Sequence, residues 1–157
     1  LYDGASLVLQ TDLDIGSPID HVWIDSYYFF TDGENLYHTN ITDETQIDPL
    51  QFATSEYSPD PTLAVAKTAD DLVIVFDRYT TAYFINQASD NFAFSFLKSK
   101  TVKCGVVGTH CKAELEETFF IIGSGRNESL SIHAVDVGIY QSIASREVDK
   151  LLATYNS

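Results

Sequence analysis

No lysine or arginine occurs before Lys67, no methionine occurs anywhere, and the 157 residues hold only two cysteines and four prolines. Each scarcity excludes something. Without an early cationic stretch there is no basic arm for a phosphate backbone, and the chain as a whole carries −14, so sequence-specific or adhesive nucleic-acid binding is not expected. No run approaches the 18 or so apolar residues of a membrane span, and no signal-peptide pattern opens the chain. The sequence therefore predicts no membrane insertion. Neither a GxSxG elbow nor a phosphate loop is present, and no histidine stands beside a recognisable nucleophile motif. The missing methionine extends even to position 1, which suggests a processed chain or a piece of a longer one.

What is present is a repeat. Asp25-Ser26-Tyr27-Tyr28-Phe29-Phe30, Asp70-Asp71-Leu72-Val73-Ile74-Val75-Phe76 and Glu116-Glu117-Thr118-Phe119-Phe120-Ile121-Ile122 carry one pattern, an acidic leader followed by an apolar run, at steps of 45 and 46 residues. Such a period marks units that stack because none buries its own apolar face. Each unit reads as a strand, a turn and a returning strand. The turns fall at Thr31-Asp32-Gly33-Glu34, around Asp77 to Thr81, and between Gly123 and Ser129, with returning strands at 36–39, 82–85 and 130–135. The runs 27–30, 72–76 and 119–122 do not alternate, so both faces of each strand are expected to be covered, in blades stacked face to face or in a β-sandwich. The ten Phe and nine Tyr supply that core. The predicted fold is all-β, made of antiparallel hairpins in blade-like sheets of a propeller or part of one, with a short C-terminal helix. A closed propeller needs about four blades or more. Residues 1–157 are thus read as a single β-rich domain and a fragment of a longer propeller-type protein.

Two segments fall outside the repeat. Ile47-Asp48-Pro49-Leu50-Gln51-Phe52-Ala53 with Tyr57-Ser58-Pro59-Asp60-Pro61 reads as an inter-blade loop, because its prolines impose extended or turn geometry. Ser145 caps a predicted helix to Tyr155 whose Val148, Leu151, Leu152 and Tyr155 share one face. That face is expected to pack on a sheet edge.

The charge is uneven: residues 1–66 hold 12 acidic residues and no cation, residues 67–157 hold 11 acidic and 9 basic ones. A solvated acidic face is the plain reading. A docking surface for a basic partner, or a wall past which DNA slides without sticking, are the functional ones. Asp12 and Asp14 beside Gly16 suggest a divalent-cation loop but lack its further oxygen ligands. Cys104 and Cys111, with His110 and a distant His133, admit a disulfide, a partial zinc site or two unpaired thiols; no second CxxC or HxxxH pair completes a zinc set. Asn40-Ile41-Thr42 and Asn127-Glu128-Ser129 match the glycosylation sequon, which fits a rival reading as an extracellular glycosylated propeller that binds a ligand. Asp25 and Asp70 are the nearest thing to a glycosidase pair, yet their equivalent repeat positions suggest a shared turn instead. No catalytic, cofactor-binding or metal-ligating residue is assigned, and no enzyme activity is expected.

The chain resembles the packaged-DNA stabilisation proteins of short-tailed phages, the tail-hub family. The resembling stretches are His21-Val22-Trp23-Ile24-Asp25-Ser26-Tyr27-Tyr28-Phe29-Phe30-Thr31-Asp32-Gly33, Asp48-Pro49-Leu50-Gln51-Phe52-Ala53-Thr54 with Tyr57-Ser58-Pro59-Asp60, Ala88-Ser89-Asp90-Asn91-Phe92-Ala93-Phe94 and Gly105-Val106-Val107-Gly108-Thr109-His110. Ser131-Ile132-His133 and Ile143-Ala144-Ser145 follow in order. The resemblance implies a structural role: a propeller-type subunit, assembled in the host cytoplasm into a homo-oligomeric ring of the virion tail. That ring would lie beneath the portal and its adaptor and present surfaces to tailspikes and a needle. These motifs are strand and turn residues, so no individual contact residue carries over. A reducing cytoplasm favours unpaired thiols at Cys104 and Cys111.

Overall fold

The computed structural model describes residues 12–41, 43–55 and 57–155. Three antiparallel sheets follow one another along the chain. The first contains β1 (Asp20–Ile24), β2 (Tyr27–Thr31), β3 (Leu36–Asn40) and β4 (Asp43–Ala53), in that order across the sheet. The second contains β5 (Thr62–Lys67), β6 (Leu72–Asp77), β7 (Thr81–Asn86) and β8 (Phe94–Phe96). In the third, β9 (Gly105–Val106) and β10 (Lys112–Leu115) share the edge along β11 (Thr118–Ser124), followed by β12 (Ser131–Asp136) and β13 (Ile139–Ser142). The helix α1 (Arg146–Tyr155) ends the described chain. Among the described residues no helix is long and apolar enough to cross a membrane.

The repeat is therefore a four-stranded meander rather than the two-strand unit expected. The acidic leaders do not simply precede a strand: they are the first hairpin turn. Ile24 pairs with Tyr27 and Leu115 with Thr118, leaving two-residue loops. Both loop residues have positive φ, 50° and 70° at Asp25 and Ser26, 49° and 68° at Glu116 and Glu117. Those signs match the type I′ turn, whose twist suits the right-handed twist of paired strands. In the second sheet the loop is longer, with Asp71 at φ 57° and the Thr68 hydroxyl accepting the Leu72 N–H at 3.0 Å.

The expected coverage on both faces holds for the middle sheet alone. Val73 and Val75 of β6 join Tyr27, Phe29 and Leu36 of the first sheet in one buried cluster. Their neighbours Ile74 and Phe76 join Phe119, Ile121 and Val135 of the third in another. Successive β-residues point to opposite faces, so β6 is apolar throughout because it feeds two cores. Among the described residues the outward faces of the end sheets are less covered: Tyr28, Phe120 and Ile122 are half-buried, although Phe30 beside Tyr37 is buried.

The first strands of the three sheets approach one another. The Asp20 carboxylate on β1 accepts the Val65 N–H of β5 at 2.8 Å and pairs with the Lys112 ammonium of β10 at 2.5 Å. One side chain thus links the first strands of all three sheets.

Two expectations are corrected. Residues 47–53 are the second half of β4, an edge strand with shifted register, and Pro49 is tolerated there because an edge N–H needs no ladder partner. The crossover shrinks to residues 54–61. The helix forms with Ser145 at its cap, whose hydroxyl accepts the Val148 N–H at 3.4 Å. Its apolar face does not pack as expected: none of its residues is buried, and Leu151 and Tyr155 are 55% and 77% exposed. A bond from the Ser131 hydroxyl to Asp149 ties it to β12.

Candidate functional site: the acidic cleft, the polar junction and the aromatic face

The first turns of the second and third sheets form an acidic cleft. Asp70, Glu116 and Glu117 line one cleft of about 260 Å³ between the second and third sheets, with Asp136 opposite. Asp25 stands apart from that cleft; its carboxylate accepts from the Asn86 amide of β7 at 3.0 Å. Asp25 and Asp70 are thus turn residues of two sheets, and neither geometry nor shared lining makes them a glycosidase pair. Lys67 bonds Asp71 at 2.8 Å, which raises the ammonium's pKa.

At the opposite end of β6 lies a polar junction. Asp77 is fully buried where the crossover, β5 and the β6–β7 turn meet. Its carboxylate accepts from the hydroxyls of Ser55, Thr62 at 2.8 Å and Thr80 at 3.0 Å. Burial pushes its pKa up to about 7 against the three hydroxyl bonds, with nearby Asp60 adding to the rise. Asp60 in turn accepts the Tyr79 N–H and pairs with Arg126 of the third sheet at 2.7 Å. These contacts clip the crossover, the second sheet and the third together at this end.

A second clip joins the first two sheets. His38 on β3 is buried among Tyr27, Phe92 and Phe94. Its Nδ1 donates to the Thr39 carbonyl at 2.9 Å and its Nε2 accepts the Ala93 N–H at 3.1 Å. Burial lowers its pKa, so the ring is held neutral. Nothing in the sequence marked His38 or Asp77, because their neighbours arrive from residues far along the chain.

The open face of the first sheet is aromatic. Trp23 meets Tyr28 edge-on at 4.7 Å, Phe30 stacks on Tyr37 at 5.5 Å, and Tyr37 reaches Phe52. Its inner end forms a groove of about 510 Å³ with Ile15, Pro18 and Ile19, and His110 enters it from the third sheet.

The remaining sequence candidates are not brought together. Asp12 caps the short turn Leu13–Ile15: its carboxylate accepts the N–H groups of Asp14 and Ile47. Thr11 lies outside the described residues, and among those described no three His, Cys, Asp or Glu side chains are grouped to hold a metal. Cys104 is a buried free thiol, its pKa pushed up to about 12 by burial and then by Glu128; Cys111 is free and half-buried. His133 is buried against Tyr140, and burial lowers its pKa. Asn40 ends β3, and Asn127 sits in an exposed turn at φ 68°.

Four-stranded antiparallel meanders stacked face to face, with their first strands drawn together, are the blades of a β-propeller. A family model described as bacteriophage P22 Gp10, beta-propeller, matches residues 1–157, and the chain belongs to this family of phage proteins that stabilise packaged DNA. It is a family of structural phage proteins. A search of curated proteins returned no match.

Proposed function

We propose that this chain is part of the tail hub that closes the portal vertex once the genome is loaded, and that it retains DNA by blocking the exit rather than by gripping the duplex. Family membership over the whole chain supports the role, and the strongly acidic charge balance is the observation that carries the mechanism. A surface that neutralises phosphates releases counterions and gains affinity at low salt. This chain has little to release them with: its first 66 residues hold no cation, and its net charge is −14.

Retention then rests on protein contacts. In this reading a homo-oligomeric ring meets the portal adaptor on one side and tailspike and needle proteins on the other, within the virion tail, after assembly in the host cytoplasm. No covalent chemistry is assigned to any residue. Particles assembled without the protein are expected to package DNA and then lose it, measured as nuclease-sensitive genome per head. Stable full heads lacking it overturn the role. Fluorescence anisotropy with duplex DNA is expected to show no salt-sensitive binding by the purified chain. Tight binding at physiological salt overturns the blocking mechanism while leaving the role intact.

A further inference from the structure

One buried polar side chain on β12 has no bonded role in the fold. His133 is 5% exposed, and neither Nδ1 nor Nε2 has a hydrogen-bond partner. Alternation along β12 sets it on the same face as Ser131 and Val135, and Val135 belongs to the core shared with the second sheet. Ser142 stands opposite it on β13, and the Tyr140 ring meets it at 5.6 Å. The Gly123 main chain of β11 comes near it without forming a bond of good geometry. Two carboxylates act on the ring from other elements, Glu128 of the β11–β12 turn and Asp149 of α1. Neither is bonded to it. Glu128 accepts the Gly125 N–H at 3.1 Å, and Asp149 accepts the Ser131 hydroxyl at 2.7 Å. That last bond ties α1 to the sheet on the face that carries His133, and α1 buries none of its own residues.

We propose that His133 is a proton-operated latch for α1: with the ring neutral the helix lies on β12, and with the ring protonated the helix leaves it. A neutral imidazole without partners is tolerated against Tyr140 and the core. A charged one in the same place has lost its water and gained no bond, which is far costlier. The attraction of Glu128 and Asp149 works the other way. Each has an oxygen engaged elsewhere, and burial prevails, holding the ring below its ordinary pKa. Releasing α1 readmits water to the ring and restores its ordinary affinity for a proton. Docking is therefore fully supported above about pH 6.5 and weakens as pH falls through the lowered value. Tyr140 and Cys104, also titratable and close by, are both raised and stay neutral across that range. The helix is the element that yields, because it buries no residue and its ten residues are too few to stay helical alone. Strand β12 is bonded on both sides, to β11 and to β13, and stays in place.

The test is amide hydrogen–deuterium exchange of the full 157-residue chain, read by mass spectrometry at about pH 7.5 and about pH 5 and corrected for the intrinsic rate. Peptides from residues 146–155 are expected to lose protection at least about threefold at the lower pH, while peptides from β6 keep theirs. His133→Gln cannot take up a proton, and its α1 protection is expected to be the same at both. Asp149→Asn keeps an oxygen for the Ser131 hydroxyl and is expected to retain the loss, which separates the imidazole from acid titration of that carboxylate. Far-UV circular dichroism checks that each variant is folded, and His133→Phe replaces His133→Gln if the latter is not. Equal protection of α1 at the two pH values in the unaltered chain overturns the proposal. So does a loss that survives in the folded His133 variant or vanishes in Asp149→Asn. A loss shared equally by β6 marks unfolding of the whole chain and overturns it too.

Discussion

Asp77 and His38 are two buried side chains whose protonation is coupled to folding, and they act with opposite sign. The folded pKa of Asp77, about 7, lies above its unfolded value near 4. Its contribution is therefore fully present below about pH 4 and lost as pH rises through 7. An amide at this position keeps an acceptor for the hydroxyls of Ser55, Thr62 and Thr80 and never ionises. Asp77→Asn is expected to remove the Asp77-dependent fall in stability between about pH 4 and 7, read from melts across that window. His38 is depressed, so its contribution is present above its unfolded pKa of about 6.5 and fades as pH falls through the lowered value. Protonating Nε2 breaks the bond from Ala93 and charges a ring enclosed by aromatics. His38→Gln is expected to abolish the acid-side loss while lowering stability at neutral pH, and an unchanged acid limb would contradict this assignment.

At the scale of elements, close backbone approach fixes how the third sheet meets the second. A Cβ on Gly123 would lie 1.6 Å from the Gly105 carbonyl oxygen, and one on Gly105 would lie 2.1 Å from the Asp77 carbonyl oxygen. Both obstacles are main chain and cannot rotate away. Gly105→Ala is expected to cost at least about 1–3 kcal/mol in denaturant melts, the range of an overpacked core. The first turns offer the reverse. Glu116 and Glu117 occupy left-handed backbone that asparagine and glycine adopt more readily. Replacing the pair with Asn-Gly is expected to stabilise the hairpin by about 1–2 kcal/mol, and a lower melting temperature would disprove the turn geometry. Strand β6 differs from β11 in the same physical terms. Ile74→Ala is expected to cost about 2–5 kcal/mol because its side chain is buried beneath the third sheet, and Phe120→Ala less because Phe120 is only half-buried.

Across the whole molecule, the three sheets are joined by two clusters of apolar side chains and pinned at their first strands by Asp20. Its carboxylate is mostly buried and serves both a main-chain N–H and an ammonium. Asp20→Ala leaves both donors without their acceptor, whereas Lys112→Ala leaves the carboxylate still bonded to Val65. The first is expected to cost about 1–3 kcal/mol and the second less, tested by paired melts and a double-mutant cycle. Equal costs would mean that the Val65 bond contributes nothing.

Periodicity was legible in the sequence because spacing is a local property. Steps of 45 and 46 residues, the apolar runs and the Ser145 cap each appear as strand pairs or a capped helix at those residues. The uneven charge was legible too. What the tertiary structure decided are matters of partnership. It turned the acidic leaders into hairpin turns, because turn identity depends on what pairs across it: Ile24 with Tyr27, Leu115 with Thr118. It made residues 47–53 a strand, since an edge position forgives Pro49. It left the apolar face of α1 largely uncovered, which amphipathic spacing alone cannot foretell. It also gave β6 two covered faces and its equivalents one: an apolar run records that a strand can be buried on both sides, but only the stacking order of the sheets supplies the second neighbour.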